Sequence, residues 1–295
     1  MKDLFLRRGG DRRLRGGHLW IYSNEIDSER SPLSTFASGD PVAVRNAGGR
    51  LLGSAYMEPQ SLICARLYAP GEDCALERAF IAARLRDALA LREAAFDGPY
   101  YRLVYGDSDG LPGMVMDRFG DYLVLQLNNP GRERYVDPLL AAIREVLDPA
   151  GVVLRRDSRS RREQGLEESA EVLCGEVPEQ VPLVENGVHF TAPVYAGQKT
   201  GWFYDHRQSR ARLAAWSRGA RVLDVYCYIG GWGVQAAAAG AARVTCLDSS
   251  AHAVDAVLAN AELNGVAGCM DTRRGSAPDT MAAMRDEGLR YDIIV

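Results

Sequence analysis

Twelve residues, Val222-Leu-Asp-Val-Tyr-Cys-Tyr-Ile-Gly-Gly-Trp-Gly233, gather the side chains and glycines best placed to do chemistry. An apolar run carries an acid, Asp224, and a turn with Gly230, Gly231 and Gly233 leads into an alanine-rich stretch. Glycines in such a turn let backbone amides approach a ligand closely and accept positive φ. A second apolar run, Arg243-Val-Thr-Cys-Leu-Asp248, ends in another acid 24 residues after the first. A carboxylate there suits a bidentate hydrogen bond to ribose hydroxyls. Two cofactor classes fit. A dinucleotide asks for GxGxxG, with amides and a helix dipole facing a diphosphate. The glycines here follow another pattern. Asp224 inside the turn would repel a diphosphate but attract the ammonium or sulfonium of S-adenosylmethionine, so the residues favour S-adenosylmethionine over NAD. Taken singly, the glycines could serve tight packing and Asp248 could be a solvated strand end; the strand–turn–helix context joins them into a site.

The elements that must position these groups read as follows. From about 188 onward, strands alternate with helices: 221–226, an alanine-rich helix after Gly233, 243–248, a helix over 251–263, a third over 277–287, and a strand at Tyr291-Asp-Ile-Ile-Val295. Such alternation implies parallel βαβ units in a doubly wound sheet. Residues 1–72 instead show short strands, at Val42-Ala-Val44, Leu51-Leu-Gly53 and Ser61–Leu67, separated by Gly- and Pro-containing turns. A helix follows, with Ile81, Leu85, Ala88 and Leu89 on one face and Glu72-Asp73 near its positive end. Met114-Val-Met116 and Tyr122–Leu127 flank Asp117–Asp121 as a hairpin, Tyr135, Leu139, Ile143 and Val146 mark a helical stripe, and Val152-Val-Leu154 is a short strand. The chain is thus expected to divide into 1–72, 73–187 and 188–295.

Composition sets the outer limits. The 295 residues are 47% hydrophobic and 25% charged, which is globular and excludes disorder. No apolar run approaches the ~20 residues of a membrane span, and the start of the chain lacks a signal peptide's apolar core. Six cysteines without CxxC spacing read as free thiols of a cytoplasmic protein. His18, His189, His206 and His252 show no ligand spacing, so no metal is expected. Asp107, Asp109 and Asp117 fail a calcium-loop pattern and read as turn formers. The net charge of −4 gives no global signal for nucleic acid. Locally, the first 18 residues carry +4, with Arg12, Arg13 and Arg15 among them, which fits phosphate contact as well as a solvated terminus. Trp20 and Tyr22 alternate as in a strand; core packing is preferred over stacking on bases. Arg155, Arg156, Arg159, Arg161 and Arg162 are followed by six acids up to Glu179, so self-pairing competes with RNA contact.

Several of these segments together resemble one family. Asp224-Val-Tyr-Cys-Tyr-Ile-Gly-Gly-Trp232, preceded by Gly197-Gln-Lys-Thr-Gly-Trp-Phe-Tyr-Asp-His-Arg207, is similar to the large-subunit ribosomal RNA methyltransferase I family. Leu14-Arg-Gly-Gly-His-Leu-Trp-Ile-Tyr-Ser23 looks like the start of its N-terminal PUA domain, an RNA-binding module. Tyr105–Gly113, Asp117–Asp121 and the stretch from Arg155 to Leu166 resemble its central domain. The resemblance implies an α/β fold: a β-rich PUA-like domain, a central α+β domain, and an incomplete Rossmann-like class I methyltransferase domain. It implies S-adenosylmethionine-dependent methylation of cytosine C5 in 23S rRNA, with ribosomal RNA as partner, no membrane, and a homodimer as an open alternative to a monomer. Asp224, Cys227, Tyr228 and Gly230 would line the methionine end of the cofactor, Asp248 would hold the ribose and Ser249 would lie near the adenine. Phe203 and Arg207 would close over the site. Lys199 and Arg207 could also meet RNA phosphate; without the resemblance, a salt-bridged junction is the preferred reading of both.

Two departures stand out. The family's third motif carries an acid toward the adenine; here Arg274-Gly-Ser-Ala277 puts Ser276 in its place. Trp232-Gly-Val234 replaces Phe-Ser-Leu after the double glycine. The ending differs too. The family sheet has seven strands, whereas about 75 residues after the glycine turn give room for roughly four. The family continues past Tyr-Asp-Ile-Ile-Val with Leu-Asp-Pro-Pro and a cysteine motif. C5 of cytosine is a poor nucleophile until a thiolate adds at C6, so the catalytic thiol is expected beyond Val295, the chain is expected to be truncated, and 293–295 should form an exposed strand edge. A non-catalytic RNA-binding fragment and a nucleotide-dependent oxidoreductase are the rival readings.

Overall fold

The computed structural model describes residues 1–157 and 168–295. Arg159, Arg161 and Arg162, and the family-like stretch around them, lie outside the described residues. The chain divides into two compact units, Met1–Pro178 and Glu179–Val295.

In the first unit, Lys2–Phe5 (β1), Trp20–Tyr22 (β2), Pro41–Arg45 (β3), Leu51–Met57 (β4) and Ile63–Pro70 (β5) form a sheet in the order β1-β3-β4-β5-β2. Alternating residues fill its interior: Leu4, Ile21, Val42, Val44, Ala55, Met57, Ala65 and Leu67 are buried together. Trp20 and Tyr22 stand half-buried on the opposite face from Ile21, the period-two consequence of an extended backbone. Their rings are stacked by cations, Arg66 over Trp20 and Arg13 over Tyr22, so these aromatics are not core residues.

A long helix, Arg78–Ala95, then buries Ile81, Ala82, Leu85 and Ala88. Its first turn holds no acid and its N-cap is Glu77, with Glu72 and Asp73 further upstream. Five further strands, Tyr100–Tyr105 (β6), Met114–Phe119 (β7), Tyr122–Leu127 (β8), Gly151–Arg155 (β9) and Ala170–Gly175 (β10), form a second sheet in the order β10-β9-β8-β7-β6. The β7–β8 turn is only Gly120-Asp121, because Asp117–Phe119 continue the strand. Asp117 is therefore no turn former: it is fully buried and takes a two-pronged hydrogen bond from Arg102 at 2.8 and 2.9 Å. Asp109 is held the same way by Arg92. The helix Val136–Val146 covers the sheet with Leu139, Ala142 and Ile143. Arg155 pairs with Asp157, and Arg156 with Glu133 and Glu171; the Glu171 pair is of the kind the charge pattern allowed.

The second unit opens with a hairpin, Gln180–Glu185 (β11) and Val188–Pro193 (β12), turned at Asn186-Gly187, both at positive φ as a type I′ turn needs. The hairpin straddles residue 188, the boundary expected from the alternation alone, with β11 ahead of it and β12 starting there. Four parallel strands follow: Arg221–Val225 (β13), Arg243–Asp248 (β14), Met270–Arg274 (β15) and Ile293–Ile294 (β16), in the order β15-β14-β13-β16. Helices Arg207–Trp216, Gly233–Ala238, Ala251–Leu263 and Ala277–Asp286 accompany them. Val222, Val244, Cys246 and Leu247 are inaccessible to solvent, as continuous apolar runs in parallel strands demand. At the edge, Ile294 is 65% exposed.

Candidate cofactor site

The ligand-facing rim of a parallel sheet lies at the carboxyl ends of its strands. Here β13 runs out into residues 226–233. Tyr226, Tyr228 and Gly230 all have positive φ, at 62°, 51° and 84°. For the two tyrosines this conformation costs of order 1 kcal/mol or more each, a cost that recurs at functional sites. The turn is pinned from outside: Asn260 donates to the Ile229 carbonyl at 3.0 Å and accepts from the Thr191 amide at 2.9 Å. Gly230 is required by its φ and by space, since a Cβ there would stand 3.0 Å from Val234 Cγ2.

Asp224 does not face this turn's open side. Its side chain is buried, with Oδ2 accepting the Gly233 amide at 2.9 Å and lying 3.9 Å from Cys246 Sγ. The carboxyl thus caps the helix that starts at Gly233. The side chain expected to attract a ligand cation therefore also holds the helix start. Burial pushes its pKa up to about 7, against the pull of the Gly233 amide and of Arg210, while Asp248 adds to the rise.

Asp248 is the acid on the rim. Its Oδ2 accepts the Tyr228 amide at 3.1 Å and its Oδ1 accepts the Ser250 amide at 2.9 Å. A carboxylate has about four acceptor positions, so each oxygen keeps capacity for one hydroxyl of a ribose diol. The Gly275 amide bonds the Asp248 carbonyl at 3.0 Å, bringing the Ser276 loop alongside. Ser249 and Ser276 are both exposed. Tyr228 joins the rim to the 197–203 segment: its hydroxyl accepts the Gln198 amide at 3.1 Å and donates to the Gly201 carbonyl at 3.2 Å, and its ring meets Phe203 edge-on at 5.7 Å. Cys227 is 3% exposed beneath the turn.

Asp248, Tyr228, Phe203, Gly230, Ser249 and Ser276 therefore come to one rim. Arg207 has its Nε 3.7 Å from the buried Glu185 Oε2. Lys199 is bound to Asp205 at 2.8 Å and lies over Phe203. In the first unit, Arg15 meets Asp11 and Arg13 meets Glu25, while Arg12 is exposed.

Glu185 was missed in the sequence. It is 1% exposed and accepts from Trp202 Nε1 at 2.9 Å, Arg210 Nη1 at 2.7 Å and Gln235 Nε2 at 3.0 Å. A signal existed: Val181, Leu183 and Glu185 share the buried phase of one strand, so the acid sits where only apolar side chains belong. Among the described residues, no group of three or more His, Cys, Asp or Glu side chains could hold a metal, and no helix is long and apolar enough to cross a membrane.

Comparisons with known proteins agree with this geometry. Residues 4–70 match the family model of a PUA-like domain, and residues 150–274 that of an S-adenosylmethionine-dependent methyltransferase. The ribosomal RNA large subunit methyltransferase I of Shewanella denitrificans is 34% identical over 298 residues, spanning 98% of this chain and 74% of that protein. Its counterpart from Photobacterium profundum is 36% identical over 268 residues, spanning 90% and 67%. A solved structure described as a SAM-dependent methyltransferase, from Streptococcus mutans, shares the fold with a TM-score of 0.83 at 24% identity, covering 100% of this chain and 76% of that one. The cofactor is accordingly S-adenosylmethionine, and the chain belongs to the ribosomal RNA large subunit methyltransferase I family.

Proposed function

We propose that this protein binds large-subunit ribosomal RNA in the cytoplasm and serves methyl transfer to C5 of a cytosine in 23S rRNA. The observation that carries the reading is the rim at Asp248: a carboxylate with acceptor capacity left on both oxygens, beside Tyr228 and Phe203, while Asp224 takes the Gly233 amide at the start of the neighbouring helix. That arrangement suits a ribose with no diphosphate attached.

S-adenosylmethionine supplies an electrophilic methyl group. The chain's own part is to bind and orient. Asp248 would take the ribose hydroxyls, Gly230 and the backbone around Cys227 and Tyr228 would line the methionine end, Phe203 would shelter it, and Ser249 and Ser276 would border the adenine. Orientation for in-line displacement is worth several kcal/mol of barrier. The reaction also needs a thiolate at C6 of the base, and that role is assigned to none of the six cysteines. Cys227 and Cys246 are buried, and the neighbouring Cys227 side chain, together with burial, holds the Cys246 thiol well above its usual range. The basic stretch with Arg12, Arg13 and Arg15 would contact RNA phosphate, and Lys199 would do so if RNA displaces Asp205.

The test is transfer of tritium from methyl-labelled S-adenosylmethionine to unmodified 23S rRNA, followed by nucleoside analysis. Any label transferred is expected in 5-methylcytidine. Label in another nucleoside would overturn the C5 assignment, and no transfer with intact RNA binding would favour a non-catalytic role. Calorimetry should show binding of S-adenosylhomocysteine and none of NAD.

A further inference from the structure

The buried carboxylate of Glu185 lies away from the rim, yet its partners come from three separate elements that border it. Trp202 belongs to the 197–207 segment, Arg210 to the helix after it, and Gln235 to the helix after the glycine turn. Arg210 also donates to the Phe203 carbonyl at 3.1 Å. Its guanidinium stacks on Trp202, 4.4 Å from the ring centroid. Gly231 passes beneath this pair, where a Cβ would stand 3.0 Å from both Arg210 Nε and Trp202 Cη2. Gln235 in turn accepts from Asn186 at 2.7 Å, and Asn186 donates to the Arg207 carbonyl at 3.1 Å. One side chain on the β11–β12 hairpin is thus the common acceptor for the segment carrying Phe203 and for the helix carrying the glycine turn.

We propose that Glu185 is a positioning residue for the cofactor: its carboxylate fixes the 197–207 segment against the glycine turn, and so sets the affinity for S-adenosylmethionine and its product. The physical reason is the number of acceptor sites. Three donors converge on two oxygens, with the Arg207 guanidinium 3.7 Å away. A carboxamide at this position has one oxygen, so one set of donors would face its NH2. Buried donors without acceptors are costly, and the segment would be released from the turn. Unlike the rim residues, Glu185 touches no ligand in this scheme. The proposal rests on the cofactor assignment above.

Glu185→Gln, Glu185→Asp and Trp202→Phe can be compared with the parent by calorimetry with S-adenosylhomocysteine at a temperature where circular dichroism shows each folded. Trp202→Phe removes one donor and keeps an aromatic, though smaller, ring. The expected result is a dissociation constant raised at least tenfold in Glu185→Gln and about threefold in Trp202→Phe, with Glu185→Asp between parent and Gln. A second readout uses the scarcity of lysine. The chain has only Lys2 and Lys199, so a lysine-specific protease reports on the 197–207 segment through cleavage after Lys199. S-adenosylhomocysteine should slow that cut in the parent and not in Glu185→Gln. A purely structural role would lower the melting temperature and leave affinity and protection in the folded variant unchanged; affinity within twofold of the parent in either folded variant overturns the proposal. If Glu185→Gln does not fold, Trp202→Phe decides. A parent that fails to bind S-adenosylhomocysteine removes the cofactor assignment itself, a different outcome from normal parent binding with unaffected variants.

Discussion

Asp224 and Asp248 look alike in the sequence, each an acid in a run of apolar residues, but their surroundings give them different work. Asp248 ends its strand, so its carboxylate reaches the rim, and that much was legible. Asp224 lies within β13, whose Val222 and Leu223 are also buried, so its carboxylate must find an internal donor and takes the Gly233 amide. The sequence contained no cue to the side it would face. Its titration makes a prediction. With a folded pKa of about 7 against an ordinary 3.8, the folded state holds a proton that the unfolded chain releases between roughly pH 4 and 7. Stability from this group is therefore full below the unfolded value and lost as pH rises through about 7. Asp224→Asn keeps an oxygen for the Gly233 amide and removes the titration. Relative to the parent it should gain on the order of 1–3 kcal/mol between pH 5 and pH 8.5, read from urea unfolding at both pH values. A difference independent of pH would refute the assignment.

At the scale of elements, strand–helix alternation made the parallel sheet legible because each run of β-branched and aliphatic residues is long enough to be buried on both faces. The hairpin of β11 and β12 was less so. Its turn, Asn186-Gly187, is a strong hairpin cue, and the acid in phase with Val181 and Leu183 marked a buried network. The contacts that pin the glycine turn, from Asn260 and Glu185, span 31 and 50 residues of sequence, and no local pattern carries that information. Packing of the turn onto the sheet can be tested at Gly233, where a Cβ would stand 2.5 Å from Cys246 Sγ and 3.2 Å from Asp224 Oδ2. Gly233→Ala should lower stability by about 1–3 kcal/mol through overpacking. Cys246→Ala opens the space, so the double variant should recover part of that loss, giving a coupling of about 0.5–3 kcal/mol in a double-mutant cycle. Strict additivity of the two melting curves would show that the clash is relieved elsewhere.

For the whole molecule, the net charge of −4 works against association with a polyanion, so RNA binding must depend on local positive charge rather than on the overall field. The basic N-terminal stretch is divided in its commitments. Arg13 is held by Glu25 at 3.4 Å and lies over Tyr22 at 4.3 Å. Arg15 meets Asp11 at 3.2 Å, but through a side chain that is 66% exposed, and such surface pairs are worth only about 0–1 kcal/mol. Arg12 is exposed on the same short helix. A phosphate would therefore find Arg12 at no exchange cost, Arg15 at little, and Arg13 only by breaking its contacts with Glu25, Tyr22 and the Trp20 carbonyl. Each arginine that neutralises a phosphate releases counterions and steepens the fall of affinity with salt. Titrating the chain with 23S rRNA fragments across a range of salt should show the slope of log affinity against log salt reduced by about one in Arg12→Ala. Arg13→Ala should change it less. Equal slopes for Arg12→Ala and parent would place the phosphate contacts elsewhere on the protein, while a larger effect at Arg13 would mean that RNA displaces Glu25 and Tyr22 from it.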